Sequence, residues 1–207
     1  MCGPQKISHM KPAGGVRFHE LMRGGFAMGE SDPLAGELKG RLSGSFLAMN
    51  AFAAIPNVGE FLADPEHRGD LKGSVHFLPL ADQVQADQGI FKLFVRTQEP
   101  RSKKMVYTMC FEVHGEAFCL QGIKRVPHHS VVHSWKDTTT LYCQLHRGTD
   151  EHCPVIGAGV LHLTLVQFAR QLISFRTMNG VSLPEKVKAL AGFGTFFARE
   201  LIDSYLG

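Results

Sequence analysis

Residues 105–126 read MVYTMCFEVHGEAFCLQGIKRV, two runs of alternating polar and apolar residues joined by His114-Gly115. A two-residue loop that ends in glycine, between two such runs, is a strong signal for a β-hairpin. We therefore predict a pair of antiparallel strands in this stretch. The turn would place Val113 opposite Glu116, Phe111 opposite Phe118, Cys110 opposite Cys119 and Tyr107 opposite Gly122.

The predicted hairpin has one mostly apolar face, which should turn towards the core of the protein. Six residues of this face form the candidate ligand-binding set: Tyr107, Met109, Phe111, Phe118, Leu120 and Lys124. Gly122 would leave room for the ring of Tyr107 on the opposite strand. Lys124 shares the inward parity, so its ammonium would either bind an anionic head group or reach water at the rim. The second behaviour is the more common one for lysine.

The other face carries Cys110 and Cys119, which would lie opposite each other. Direct opposition suits a disulfide in an oxidising environment, whereas a reducing compartment would keep two free thiols. The chain has five cysteines, an odd number without the spacing of a disulfide framework. No signal-peptide pattern is present, so we favour free thiols in a cytoplasmic protein, with secretion of a processed form as the alternative.

The composition is that of a soluble globular protein, with 207 residues, 44% hydrophobic residues and a net charge of +3. We expect a loose leader at 1–15 and a single β-rich domain at 16–207. The net charge is too small to indicate nucleic-acid binding. No apolar run approaches the roughly 18 residues of a membrane helix, so no membrane span is expected.

Alternation elsewhere predicts further strands at 39–50, 71–78, 90–97, 138–146 and 160–165. Helical spacing predicts a short helix from Phe18 that Gly24-Gly25 ends, a short helix capped by Asn57, and C-terminal helices at about 165–205. Because short turns connect the strands, we predict a mainly β protein, an antiparallel meander that closes into a lipocalin-like barrel. A β-sandwich is the alternative, and the C-terminal α-helices would pack outside the barrel or across one end.

The familiar catalytic motifs are absent: there is no nucleophile elbow, phosphate-binding loop, dinucleotide fingerprint or H-E-x-x-H. The Cys143, His146, His152 and Cys153 spacing matches no zinc site, and His128, His129 and His133 fit a surface loop. We therefore predict no metal and no cofactor. Four acid–base candidates, Glu20, His67, Asp137 and Tyr142, are scattered along the chain, and nothing in the sequence brings them together.

A series of short strings spans most of residues 18–205, in one order. They are FHELMRG (18–24), DPEH (64–67), LKGSV (71–75), GIFKLF (89–94), MVY (105–107), GIK (122–124), WKDTTTLY (135–142) and FGTFF (193–197). Together they resemble a region that accompanies the flavin domain in large bacterial cholesterol-oxidase-like GMC oxidoreductases. The resemblance implies an accessory module near sterol or lipid chemistry, with an oxidoreductase as candidate partner. It implies no oxidase activity, because the flavin domain's dinucleotide fingerprint is absent.

These observations favour a binding module for a hydrophobic, sterol- or lipid-like ligand. One alternative is an enzyme, an isomerase, cyclase or hydrolase of a lipid-like substrate, in which two or more of Tyr107, Lys124, Asp137 and Tyr142 converge in a pocket. The other is a docking module that contacts an oxidoreductase through the apolar C-terminal helix. The sequence alone leaves open whether the protein is an enzyme.

Overall fold

The structure is a computed structural model that describes residues 14–99, 102–126, 139–163, 176–178 and 182–205. The strands in these ranges are β1 (Gly15–Met28), β2 (Phe46–Ile55), β3 (Arg68–Phe77), β4 (Ala81–Ala86), β5 (Gln88–Arg96), β6 (Lys103–Val113), β7 (Glu116–Val126), β8 (Thr140–Arg147), β9 (Val155–His162) and β10 (Arg176–Met178). The helices are α1 (Pro33–Ser43), α2 (Val58–Ala63) and α3 (Leu183–Tyr205). Most of the predicted leader and the predicted helix at about 165–175 lie outside the described residues.

Eight of the strands form a closed antiparallel barrel. Their order is β1–β2–β3–β5–β6–β7–β8–β9, and β9 pairs again with β1, where Phe26 lies opposite Gly159. β4 pairs with β3, and β10 pairs with the start of β1. The predicted β-barrel with a C-terminal helix is therefore confirmed. The sandwich alternative is wrong, because one continuous sheet closes on itself.

The β6–β7 hairpin has the predicted register. His114 and Gly115 have φ angles of 51° and 82°, the positive values that such a two-residue turn needs. All four predicted pairs are present, including Tyr107 with Gly122. Cys110 and Cys119 form a disulfide, with their Cα atoms 4.1 Å apart. The expected free thiols are therefore not what the structure contains, because direct opposition brings the two sulfur atoms within bonding reach.

The N-terminal part of the chain departs from the prediction. The short helix predicted from Phe18 is instead the long strand β1, in which Val16, Phe18, Glu20 and Met22 alternate as buried residues. Gly24 does not end a helix; it lets β1 and β9 approach, because a Cβ there would clash with the backbone of β9. Pairing with two neighbouring strands therefore overrides a weak helical spacing.

Helix α1 is absent from the prediction, and the strand predicted at 39–50 begins later, as β2 at Phe46. Asp32 caps α1 by accepting a hydrogen bond from the N–H of Ala35 at 2.8 Å. Gly36 and Gly40 lie directly on the backbones of β9 and β1, where a Cβ would clash. These glycines let the helix pack closely on the outside of the barrel, and they also weaken its helical signal in the sequence.

The other predicted elements are present with shifted ends. Asn57 caps α2 by accepting hydrogen bonds from the N–H groups of Gly59 and Glu60. The strands predicted at 71–78, 90–97, 138–146 and 160–165 correspond to β3, β5, β8 and β9. β4 was not predicted, because half of its sequence ADQVQA is polar and exposed, which leaves too short an apolar pattern.

Helix α3 covers one end of the barrel. Ser182 begins it, with its N–H and hydroxyl donating to the Glu185 carboxylate at 3.0 Å and 2.8 Å. Ala189 and Phe193 are buried against the barrel, and Phe196, Phe197 and Leu201 pack beside them. This packing uses the apolar face through which docking to an oxidoreductase is predicted. Among the described helices, none is both long and apolar enough to cross a membrane.

Candidate functional site

Two oppositely charged side chains meet inside the barrel. Lys124 of β7 donates hydrogen bonds from Nζ to both carboxylate oxygens of Glu20 on β1, at 3.1 Å and 3.0 Å. The two residues are only 2% and 3% exposed, and no other Asp, Glu, Lys or Arg in the described part of the chain is buried. Removing two ions from water costs several kcal/mol per ion. An ion pair that stays buried in an apolar interior is therefore a candidate functional site.

Tyr107 completes the group. Its hydroxyl donates a hydrogen bond to Oε1 of Glu20 at 3.3 Å, and the Lys124 ammonium lies 4.8 Å from the centroid of its ring. Burial raises the pKa of Tyr107 well above its ordinary value, and the charge and hydrogen bond of Glu20 raise it further. The phenol therefore stays neutral and acts as a donor. We call these three residues the Glu20–Tyr107–Lys124 cluster.

The cluster crosses the barrel interior beneath the end that α3 covers. β1 and β7 are not neighbours, since β8 and β9 separate them around the barrel wall. Aromatic rings connect Tyr107 to α3: Phe91 lies 6.5 Å from Tyr107, Phe18 lies 5.8 Å from Phe91, and Phe193 of α3 lies 6.2 Å from Phe18. A continuous series of ring contacts therefore links the cluster to the helix at the barrel end.

The remaining predicted ligand-binding residues also face the interior, but at other depths. Met109 and Leu120 are opposite each other and are fully buried. Phe111 and Phe118 stack with their ring centroids 6.1 Å apart near the hairpin turn. Phe111 is four residues beyond Tyr107, roughly 13 Å along the strand. The structure thus joins Tyr107 and Lys124 in the cluster and leaves the other four as apolar wall; their contact with a ligand stays a prediction.

One expectation about the neighbours of this group is wrong. The Lys124 ammonium does not reach water at the rim, because Glu20 holds it inside the barrel. The space beside Gly122 is taken by Leu141 of β8, whose side-chain atoms would come within 2.7 Å of an added Cβ. Tyr107 lies opposite Gly122 on β6, and its hydroxyl turns towards Glu20.

Glu20 was foreseen only as an isolated acid–base candidate. The helical spacing assigned to Phe18 and Met22 conceals where the side chain of Glu20 points. In β1 that side chain points into the barrel, as those of Phe18 and Met22 do. A single charged residue at an inward position of an alternating strand was the available signal. The sequence could not name its partner, because Glu20 and Lys124 are 104 positions apart.

The cluster can hold a polar group and can exchange a proton. Lys124 and the neutral phenol of Tyr107 are donors that stabilise negative charge on an oxygen atom, and Glu20 is an acceptor and a base. Cys143 of β8 lies opposite Gly122 beside them. Burial raises the pKa of the Cys143 thiol, and the Lys124 ammonium opposes this only in part. Cys143 is therefore a neutral neighbour and a poor nucleophile.

Two other sequence candidates, Tyr142 and His67, do not join the cluster. Tyr142 is on the outer face, where the Arg125 guanidinium lies 4.9 Å from its ring centroid. His67 donates from Nδ1 to the carbonyl of Leu93 at 3.1 Å. Asp137, His128, His129 and His133 lie outside the described residues. Across the ranges that the structure describes, no group of three or more His, Cys, Asp or Glu side chains is arranged to hold a metal ion.

A separate groove of about 850 Å³ runs between α3 and the barrel rim. Leu62, Phe94 and Phe196 contribute apolar lining. Lys103 and Glu200 form an ion pair beside them at 2.9 Å. None of the three cluster residues lines this groove, so it is a different surface from the interior site.

Comparisons with protein-family models, with curated proteins and with solved structures found no match. The resemblance to the accessory region of GMC oxidoreductases, the bacterial source and the oxidoreductase partner therefore stay predictions.

Proposed function

We propose that the protein binds a hydrophobic, sterol- or lipid-like small molecule inside the barrel, with the ligand's polar group at the Glu20–Tyr107–Lys124 cluster. The observation that carries this proposal is a buried ion pair and phenol in an otherwise apolar interior. Small-molecule sites typically combine apolar walls with a few convergent polar groups, and the mouths of β-barrels commonly hold them.

The buried methionines support the proposal because they make the inner walls of the barrel adaptable. Four buried methionines face the interior on three different strands: Met22, Met49, Met105 and Met109. Methionine is unbranched and polarisable, so it repacks around an apolar guest more readily than leucine or valine. The interior can therefore change shape near the cluster without breaking the hydrogen bonds of the barrel wall.

The cluster suits two kinds of polar group. A carboxylate would replace Glu20 as the partner of Lys124 and would accept a second hydrogen bond from Tyr107. A hydroxyl would donate to Glu20 and accept from Tyr107. A fluorescent polyene fatty acid and a fluorescent polyene sterol are the corresponding probes.

The test is a fluorescence titration of both probes against wild type and the Glu20→Gln/Lys124→Met double variant, which keeps the interior volume without either charge. We expect saturable binding to wild type and at least about tenfold weaker fatty-acid binding to the double variant, because a charge-assisted hydrogen bond is lost. Lys72→Met is the matched control, since Lys72 is exposed on β3. Absence of saturable binding by either probe, together with no co-purifying lipid in native mass spectrometry, would overturn the proposal.

A second candidate, an isomerase of a lipid-like ketone, is favoured by one contact. A carboxylate that touches both a neutral phenol and an ammonium could move a proton next to a carbonyl while the two donors stabilise the enolate. Conversion of a β,γ-unsaturated steroid ketone to its conjugated isomer, followed by ultraviolet absorbance, tests it. Turnover by wild type that Glu20→Gln abolishes supports an enzyme; ligand binding without turnover of this ketone supports the binding module.

A further inference from the structure

A disulfide and a histidine lie side by side on the outer face of the barrel, away from the interior cluster. Cys110 of β6 pairs with Cys119 of β7, and Cys119 pairs in turn with His146 of β8. Opposed residues on adjacent strands have their Cβ atoms about 5 Å apart on the same face. Cys119 and His146 are therefore cross-strand neighbours on this face.

The hydrogen bonding of His146 leaves one nitrogen without a partner. Its Nδ1 lies 2.8 Å from the carbonyl oxygen of Cys153. A carbonyl can only accept, so Nδ1 carries the proton, and in the neutral ring Nε2 is then a bare acceptor. His146 is 3% exposed, and its Nε2 is buried with no hydrogen-bond partner among the residues that the structure describes. Buried acceptors of this kind are rare because leaving them unpaired is costly.

Reduction of the neighbouring disulfide would supply the missing donor. A disulfide sulfur carries no hydrogen, whereas the thiol of a reduced Cys119 can donate to Nε2. We propose that Cys110–Cys119 is a redox-active thiol–disulfide site, with His146 as the positioning residue that favours the reduced pair.

A purely structural role explains this disulfide poorly. It joins residues only 9 positions apart. The hairpin already holds the same two residues opposite each other, in a register that runs from Lys103 with Val126 to Val113 with Glu116. A crosslink stabilises a fold mainly by restricting the unfolded chain, and a short loop gains least from it.

The difference in exposure between the two cysteines decides which of them an incoming thiol attacks. Cys110 is partly exposed, whereas Cys119 is fully buried. The thiolate of a small thiol such as glutathione would attack the sulfur of Cys110. The S–S bond then breaks, and the sulfur of Cys119 leaves and takes up the proton that the attacking thiol has lost. A second thiol then attacks the glutathione sulfur of the mixed disulfide, releasing oxidised glutathione and the Cys110 thiol. Two thiols are oxidised and one protein disulfide is reduced.

The test is equilibration of the folded protein in glutathione buffers, followed by alkylation and mass spectrometry of each cysteine, in a Cys153→Ser background that removes the nearby free thiol. His146→Asn keeps a donor near the Nδ1 position and removes Nε2, while His146→Gln keeps an acceptor near Nε2. We expect the disulfide to be reduced while circular dichroism stays native. We expect the equilibrium constant for reduction to fall about tenfold in His146→Asn and to stay near wild type in His146→Gln. Cys143, which is buried in the barrel, should remain unlabelled.

Three results would overturn the proposal. One is a disulfide that resists reduction until the protein unfolds. Another is the absence of the disulfide in oxidised glutathione. The third is an equal change in the equilibrium constant for reduction in the asparagine and glutamine variants, which would mean that His146 acts only through the loop that it holds. None of these outcomes bears on ligand binding in the barrel interior.

Discussion

The buried pair of Glu20 and Lys124 predicts strong energetic coupling between the two residues. Glu20→Gln and Lys124→Met each preserve the size of the side chain and remove one charge. Either change alone leaves the opposite charge buried without its partner, so we expect the free energy of unfolding to fall by about 3–5 kcal/mol. The double variant removes both charges and should lose far less than the sum of the two.

The expected magnitude follows from the distance between the charges. With Nζ and Oε2 at 3.0 Å, Coulomb's law gives an attraction of about 5 kcal/mol at an effective dielectric constant of about 20. Desolvation of the two ions offsets much of this attraction in wild type. We therefore expect the double variant to lie within about 2 kcal/mol of wild type, and the coupling energy to be about 5 kcal/mol.

The assay is urea denaturation of wild type, both single variants and the double variant, followed by far-ultraviolet circular dichroism. The exposed pair of Lys39 and Glu30, with Nζ and Oε1 at 2.7 Å, is the matched control. The same cycle there, Glu30→Gln with Lys39→Met, should give a coupling energy of at most about 1 kcal/mol. A coupling energy for Glu20 and Lys124 no larger than that of the surface pair would show that burial does not strengthen this ion pair.

Two further predictions concern the same fold. Because the pKa of Tyr107 is raised in the folded protein, its contribution to stability is complete below about pH 10, where the unfolded phenol keeps its proton, and is lost as the pH rises above that value. Tyr107→Phe should therefore remove a loss of up to about 1.4 kcal/mol per pH unit, measured by urea denaturation between about pH 9 and 11. An unchanged pH profile contradicts the assignment. Gly36→Ala should destabilise the protein by about 1–3 kcal/mol, because its Cβ would clash with the Ala158 carbonyl. Gly194→Ala should stabilise it by up to about 1 kcal/mol, because a Cβ there has no neighbour within 4 Å; equal thermal melting shifts for the two variants would contradict the packing of α1.

Local signals were enough to predict the hairpin, and the reason is geometric. His114-Gly115 sets the turn, and a two-residue turn sets every pair along both strands. The inward direction of Lys124 and Tyr107 follows from that register alone. Short turns between alternating strands favour an antiparallel meander, but a meander can close into a barrel or fold as a sandwich, so only the pairing of β9 with β1 decides for the barrel.

Long-range partners were not predictable in the same way. Glu20 lies in a stretch where Phe18 and Met22 fit a helix as well as a strand, and only pairing with β2 and β9 decides between them. The burial of Lys124 depends on Glu20 from the far side of the barrel. The orientation of the His146 ring depends equally on a loop carbonyl, that of Cys153, and among the described residues it leaves Nε2 without a hydrogen-bond partner. Alternation in one strand carries no information about such contacts.

A crystal structure of the protein with the polyene fatty acid bound would show directly whether a ligand occupies the Glu20–Tyr107–Lys124 cluster. We expect the carboxylate within about 3 Å of Nζ of Lys124, with Glu20 displaced from that ammonium and the acyl chain running past Met109. A fatty acid in the groove beside α3, with the Glu20–Lys124 pair intact and the barrel interior unchanged, would contradict it.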